Sequence, residues 1–222
     1  MVKRIVQLVA FLVIWGVLCF ASAGTLDWLR AWIYLALLAG GCAVGAVVVF
    51  KTNPQVIAER GKLHADTKFF DKIIIAIYTL LLFTTPVIAG FDAVRFKWSS
   101  MPFASVYVGA VLYVVSLIPS GWAMAVNPYL ETGVRIQQGR GQLVFTSGPY
   151  RFIRHPMYVG VILNQFAAPQ VLGSMWAYAP ALAIVVLFIV RTAVEDQTLL
   201  NELPGYKEFA EHTHYRLLPG VW

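Results

Sequence analysis

Charge is scarce in this chain. Charged residues make up 13% of its 222 positions, against 59% hydrophobic ones, where an ordinary soluble domain carries about 25% charge. That shortage excludes a water-facing surface over most of the molecule. Cysteine is equally sparse. Cys19 and Cys42 stand inside apolar runs without a histidine or cysteine at ligand spacing, so they read as small packing residues and imply no disulfide framework or zinc site. The four histidines, His64, His155, His212 and His214, form no zinc-type pair with two further ligands, and no metal is expected. There is no Gly-x-Gly-x-x-Gly after a strand, no P-loop and no nucleophile elbow, which disfavours dinucleotide-domain, phosphoryl-transfer and serine-hydrolase chemistry. No internal repeat or low-complexity tract divides the chain. It reads as a single domain over 1–222, with membrane helices in 1–126 and the polar motifs concentrated in 127–222.

What is abundant is apolar sequence in blocks long enough to cross a bilayer core, about 20 residues of helix. Such blocks run at about Ile5–Ala23, Ala31–Phe50, Ile73–Gly90 and Ala104–Met124. The first follows Lys3 and Arg4 and ends in Ala21-Ser22-Ala23, like a signal peptide. It is longer than a signal h-region and further spans follow at once, so it reads as a retained helix. Met157–Leu172, with Asn164, Gln165 and Pro169, and Met175–Val190, after the turn Gly173-Ser174, read as a tight helical hairpin. The expected fold is all-α: a polytopic membrane protein with four secure transmembrane helices, a C-terminal hairpin giving five to six spans, and a helical tail.

The net charge of +6 follows from topology and needs no nucleic-acid partner. With the N-terminus inside, fourteen of the seventeen Lys and Arg fall on one face, leaving only Arg30, Arg95 and Lys97 on the other. That bias predicts both termini in the cytoplasm. It also puts Thr52–Lys72, Asn127–His155 and the tail from Arg191 on one face.

The densest polar motif is Gly148-Pro149-Tyr150-Arg151-Phe152-Ile153-Arg154-His155-Pro156-Met157-Tyr158. Pro156 suits the first turn of a helix and biases His155 away from helical backbone. Free N–H groups at that helix start, with Arg151 and Arg154, would make an anion site for a carboxylate or phosphate. The alternative is that the arginines are topology anchors and the tyrosines an interfacial belt. In the tail, Arg191 and Glu195 have i, i+4 spacing, and Glu195 and Glu202, seven apart, would share a helix face with Asp196 between them.

Together, Gly148-Pro149-Tyr150-Arg151, Arg154-His155-Pro156-x-Tyr158-x-Gly160, Glu195-Asp196 with Leu199, Pro204-Gly205-Tyr206 and Arg216-Leu217-Leu218-Pro219-Gly220 resemble the isoprenylcysteine carboxyl methyltransferase family, which is related to the phospholipid N-methyltransferases. Asn53-Pro54 and Glu59-Arg60-Gly61 look like a loop of its prokaryotic members. The resemblance implies S-adenosylmethionine as cofactor, bound at the cytosolic face within 127–222 by Gly148, Tyr150, Arg151, His155, Pro156, Tyr158 and Glu195. It implies a lipophilic acceptor taken from the bilayer. Arg154 or Arg216 would orient a carboxylate acceptor, and Glu202 would relay a proton from an amine. Many relatives carry Glu-Glu where this chain has Glu195-Asp196. A phospholipid N-methyltransferase and an NADPH-dependent membrane reductase of the steroid-reductase type are the alternatives. A transporter would need ionisable residues at mid-membrane, which the four secure blocks lack.

Overall fold

The computed structural model describes residues 2–60 and 62–222, with side chains from residue 6 onward. Gly61 and the side chains of Lys3 and Arg4, used above in a motif and in the charge count, lie outside the described residues. Eight α-helices and no strand are found among them: α1 (Val2–Ala23), α2 (Leu29–Thr52), α3 (Pro54–Glu59), α4 (Phe69–Gly90), α5 (Ser105–Val126), α6 (Pro156–Leu172), α7 (Tyr178–Glu202) and α8 (Tyr206–His212). The chain is a polytopic helical membrane protein. Five helical stretches are long and apolar enough to span, namely Val6–Ala23, Leu29–Thr52, Phe69–Phe96, Ser105–Val126 and Tyr178–Glu202. On α5, Tyr107, Val111, Val114 and Ile118 are all more than half exposed at i, i+4, i+7 and i+11, a stripe suited to lipid.

Two helices bear on the expected hairpin, and α6 ends at Leu172 as read from the sequence. α6 has 17 residues, about 25 Å at 1.5 Å per residue, shorter than a hydrocarbon core of about 30 Å. α7 does not stop near Val190; it continues to Glu202. Arg191, Thr192 and Asp196 are buried there, so the helix carries polar residues inward and does not end where they begin.

The chain forms two compact units, residues 1–44, 78–115 and 163–185, and residues 45–77, 116–162 and 186–222. In the first, the Ser22 hydroxyl donates to the carbonyls of Leu18 and Cys19, at 2.6 and 3.0 Å. Gly90 lies so close that any added Cβ would collide with the Ser22 hydroxyl and the Cys19 carbonyl. α4 runs on past Gly90 as a π-helix over Phe91–Phe96, ended by Lys97 in the left-handed region (φ 51°). The carboxylate of Asp92, fully buried, accepts from Ser99 N and Oγ (2.7 Å each), Ser174 Oγ (2.5 Å) and Trp176 N (3.2 Å). Neutral donors thus satisfy a buried charge and tie together two loops.

In the second unit, Gly160 on α6 lets Ser116 and Ser120 of α5 approach, because a Cβ there would strike the Ser120 hydroxyl and the Ser116 carbonyl. A smaller apolar cluster of Ala123, Tyr150, Leu203, Tyr206 and Phe209 roots α8 and the loop before α6 against α5 and α7.

Candidate functional site

All of the site lies in the second unit. Gly148–Arg151 forms one 3-10 turn, entered through Gly148 at φ 61°, where its missing Cβ leaves room for Trp122 Nε1, 3.0 Å from the Cβ position. Pro156 opens α6 as expected. The backbone N–H groups of Arg154 and His155 donate to the carbonyls of Tyr215 and Arg216, at 2.9 and 3.0 Å. The Arg-His-Pro segment and the tail, far apart in sequence, are therefore joined backbone to backbone.

Their side chains meet on Asp196, which is fully buried. Arg154 donates through Nε and Nη2, each 2.8 Å from a different carboxylate oxygen. Arg216 Nε lies at 2.8 Å, the Tyr206 hydroxyl at 2.9 Å and His155 Nε2 at 3.2 Å. Arg154 Nη1 also donates to the carbonyls of Thr213 and His214. Burial, reinforced by Asp196, pushes the Tyr206 phenol above its ordinary range, so it remains a donor. Arg154 and Arg216 are thus engaged by one carboxylate, so of the two cations of the helix-start anion site read from sequence Arg154 is already paired.

A second constellation centres on Tyr158. Its hydroxyl donates to Glu195 in a short hydrogen bond. The ring stacks on His155, with centroids 5.6 Å apart and planes at 10°, and meets Phe188 edge-on at 5.1 Å. The Arg191 guanidinium lies 5.1 Å from the same ring centroid. The i, i+4 spacing suggested an Arg191–Glu195 pair, but Arg191 makes a two-point ion pair with Asp71, Nε to Oδ1 at 2.8 Å and Nη2 to Oδ2 at 2.9 Å. Asp71 has no solvent exposure, and two parallel contacts to it outweigh a single pair along a helix. Asp71 also accepts from Val134 N at 2.7 Å, and Arg191 donates to Thr132 O at 2.8 Å, which fixes the 131–134 loop beside the site.

These groups line a cleft whose enclosed volume is about 100 Å³. Among the expected site residues, Tyr150, Arg154, His155, Pro156, Tyr158 and Glu195 reach it; Gly148, Arg151, Glu202 and Arg216 do not. Arg151 is exposed. Glu202 is bonded to Lys68 Nζ at 2.7 Å on the surface. Sequence reasoning missed the rest of the lining: Tyr129, Phe145 and Phe209 as aromatic wall, and Glu131 with Arg135 at the rim. Arg135 clasps Glu131 through Nε and Nη2, at 2.6 and 2.8 Å, and holds Asp66 at 3.0 Å, which keeps the Asp66 carboxyl below its ordinary range. Glu59, His64 and Glu131 bring ligand-type atoms within 4.8 Å of one another, a grouping no sequence spacing announced. Both Glu131 oxygens are taken by Arg135.

Residues 110–201 match the model of the isoprenylcysteine carboxyl methyltransferase (ICMT) family, in agreement with the motif resemblance. No curated protein matches the chain. The matched segment contains the Arg-His-Pro block, Tyr158, Arg191, Glu195 and Asp196, and ends before the tail. That segment is similar to a methyltransferase family, in a chain with five potential membrane spans.

Proposed function

With residues 110–201 assigned to the ICMT family, we propose that the chain catalyses S-adenosylmethionine-dependent methyl transfer to a lipophilic acceptor at the cytoplasmic membrane face. The observation that carries this reading is the Tyr158–Glu195 pair within an aromatic-walled cleft that also holds His155 and Arg135. The cofactor presents an ammonium, a carboxylate, a sulfonium and an adenine, and the donor set fits each. Glu195 is an acceptor for the ammonium. The Arg135 guanidinium at the rim is a donor for the carboxylate. Tyr129, Phe145 and Phe209 offer faces for the adenine and the cationic sulfur. With Nε2 turned to Asp196, His155 keeps Nδ1 for a ribose hydroxyl.

When bound, the cofactor supplies a methyl group whose S–C bond breaks as an acceptor lone pair forms the new bond. The chain needs no covalent nucleophile. Its residues align the reactants and exclude water, on a buried framework of ion pairs around Asp196 and Asp71. Tyr158, fixed on four sides, is the rigid wall between the cofactor residues and the helix-bounded interior.

The test is ligand protection of the purified protein. S-adenosylhomocysteine should raise the melting temperature and NADPH should leave it unchanged; protection by NADPH alone would replace this reading with a reductase. Transfer of a labelled methyl group into a lipid extract then identifies the acceptor class.

A further inference from the structure

The three cations outside the fourteen on the majority face, Arg30, Arg95 and Lys97, all belong to the first unit, and two of them line a second cavity of about 500 Å³. Arg30 is half-buried, and its contacts are neutral: Ser105 Oγ at 3.0 Å, Gln170 O at 3.3 Å and Met101 O at 2.7 Å. These use three of the five guanidinium N–H donors and none of its charge. Gly173 makes room for it, since a Cβ there would lie 2.5 Å from Arg30 Nη1. Among the described residues no carboxylate pairs with Arg30, Arg95 or Lys97. The nearest buried acid of this unit, Asp92, is committed to Ser99, Ser174 and Trp176. Lys97 is exposed on the cavity wall, held there by a left-handed backbone. Asp27 is the single carboxylate on the lining, so the cavity keeps a net positive charge.

The rest of the rim is amphipathic. Trp98 and Phe103 line the cavity and are about half exposed, the arrangement that aromatic side chains adopt at the headgroup level of a bilayer. A half-buried cation without a counter-charge is costly unless an anion completes it. We infer that this cavity binds a phosphate group, that of an anionic phospholipid headgroup, with Arg30 and Lys97 as its two cationic contacts and the aromatic rim against the acyl chains. The site is independent of the methyl-transfer cleft and would persist whatever that cleft binds.

The full-length protein in neutral detergent tests this. Its melting temperature is titrated with dioleoylphosphatidylglycerol, dioleoylphosphatidylcholine and inorganic phosphate, for wild type, Lys97→Gln, Arg30→Gln and a control, Lys51→Gln. Phosphatidylglycerol should stabilise wild type and the control equally. Its apparent affinity should weaken about tenfold in Lys97→Gln, the scale of one charge-assisted contact. Inorganic phosphate producing the same shift with the same Lys97 dependence would assign the site to a free anion. Equal stabilisation by phosphatidylcholine, or equal weakening in Lys97→Gln and Lys51→Gln, overturns the proposal. Arg30 also ties α5, α6 and the loop at Met101 together, so if Arg30→Gln does not fold, Lys97→Gln alone decides.

Discussion

Arg154 and Asp196 face each other through two N–H···O contacts of 2.8 Å each, with both side chains almost wholly removed from solvent. The same carboxylate serves His155, Tyr206 and Arg216. A single buried charge therefore organises the residue that stacks on Tyr158, the tail and α8. It has a structural task, while the adjacent Glu195 is the acid left open to the cleft.

Replacing Asp196 by alanine should leave the buried guanidinium of Arg154 and the partly buried one of Arg216 uncompensated and cost about 3–5 kcal/mol. We expect Asp196→Ala to show a strongly lowered melting temperature or no folded protein at all. Asp196→Asn, which keeps the shape and loses the charge, should fall between the two. A wild-type melting temperature for Asp196→Ala would show that the hub carries no stability.

Tyr158→Phe keeps the ring that contacts His155, Phe188 and Arg191 and removes only the hydroxyl on Glu195. A hydrogen bond to a charged group contributes about 1.5–3 kcal/mol, so S-adenosylhomocysteine affinity should drop by about tenfold or more. The bond is made in the unliganded protein, so its melting temperature should fall as well. Isothermal titration beside a thermal scan separates the two effects.

Glu202 sits on the surface with Lys68. Exposed pairs of this kind contribute about 0–1 kcal/mol, and Glu202→Gln should retain both stability and methyl transfer. Complete loss of turnover with intact cofactor binding would return Glu202 to the proton-relay role that the family resemblance implied for an amine acceptor.

Gly160→Ala places a methyl group on the Ser120 hydroxyl and the Ser116 carbonyl. Overpacking of this sort costs about 1–3 kcal/mol. Adding Ser120→Ala should recover part of the loss, because one of the two colliding groups is a side chain and the other is backbone. No recovery in the double variant would mean that the serine hydroxyl is not the obstacle.

Tyr150 and Tyr206 have phenols raised above their ordinary range, chiefly by burial. A group whose folded pKa is raised contributes stability below its unfolded value, about 10 for tyrosine, and loses it as pH climbs further. The melting temperature should thus decline above about pH 10. Tyr206→Phe should show a shallower decline from a lower starting point.

The helices were legible because apolar blocks of bilayer length need no tertiary information. The site was legible in part. Pro156 and His155 announce a helix start through backbone chemistry alone, and Tyr158 follows one turn later. Ion-pair partners were not legible. Asp71 and Asp92 are single acids at the margins of apolar blocks, and both are buried. Arg191 pairs with Asp71, 120 positions away, and no periodicity reports that. Glu202 shares α7 with Glu195 as its spacing suggests, but its carboxylate is turned to Lys68 while Leu199 and Leu203 on either side of it line the cleft.

The backbone pairing of Arg154 and His155 with Tyr215 and Arg216 gives the protein an internal reporter. Two amide protons outside any helix are sequestered by the tail, and they should exchange with deuterated solvent slowly while the tail is docked and quickly once it lifts. Tail docking can therefore be timed at two backbone positions without altering a side chain.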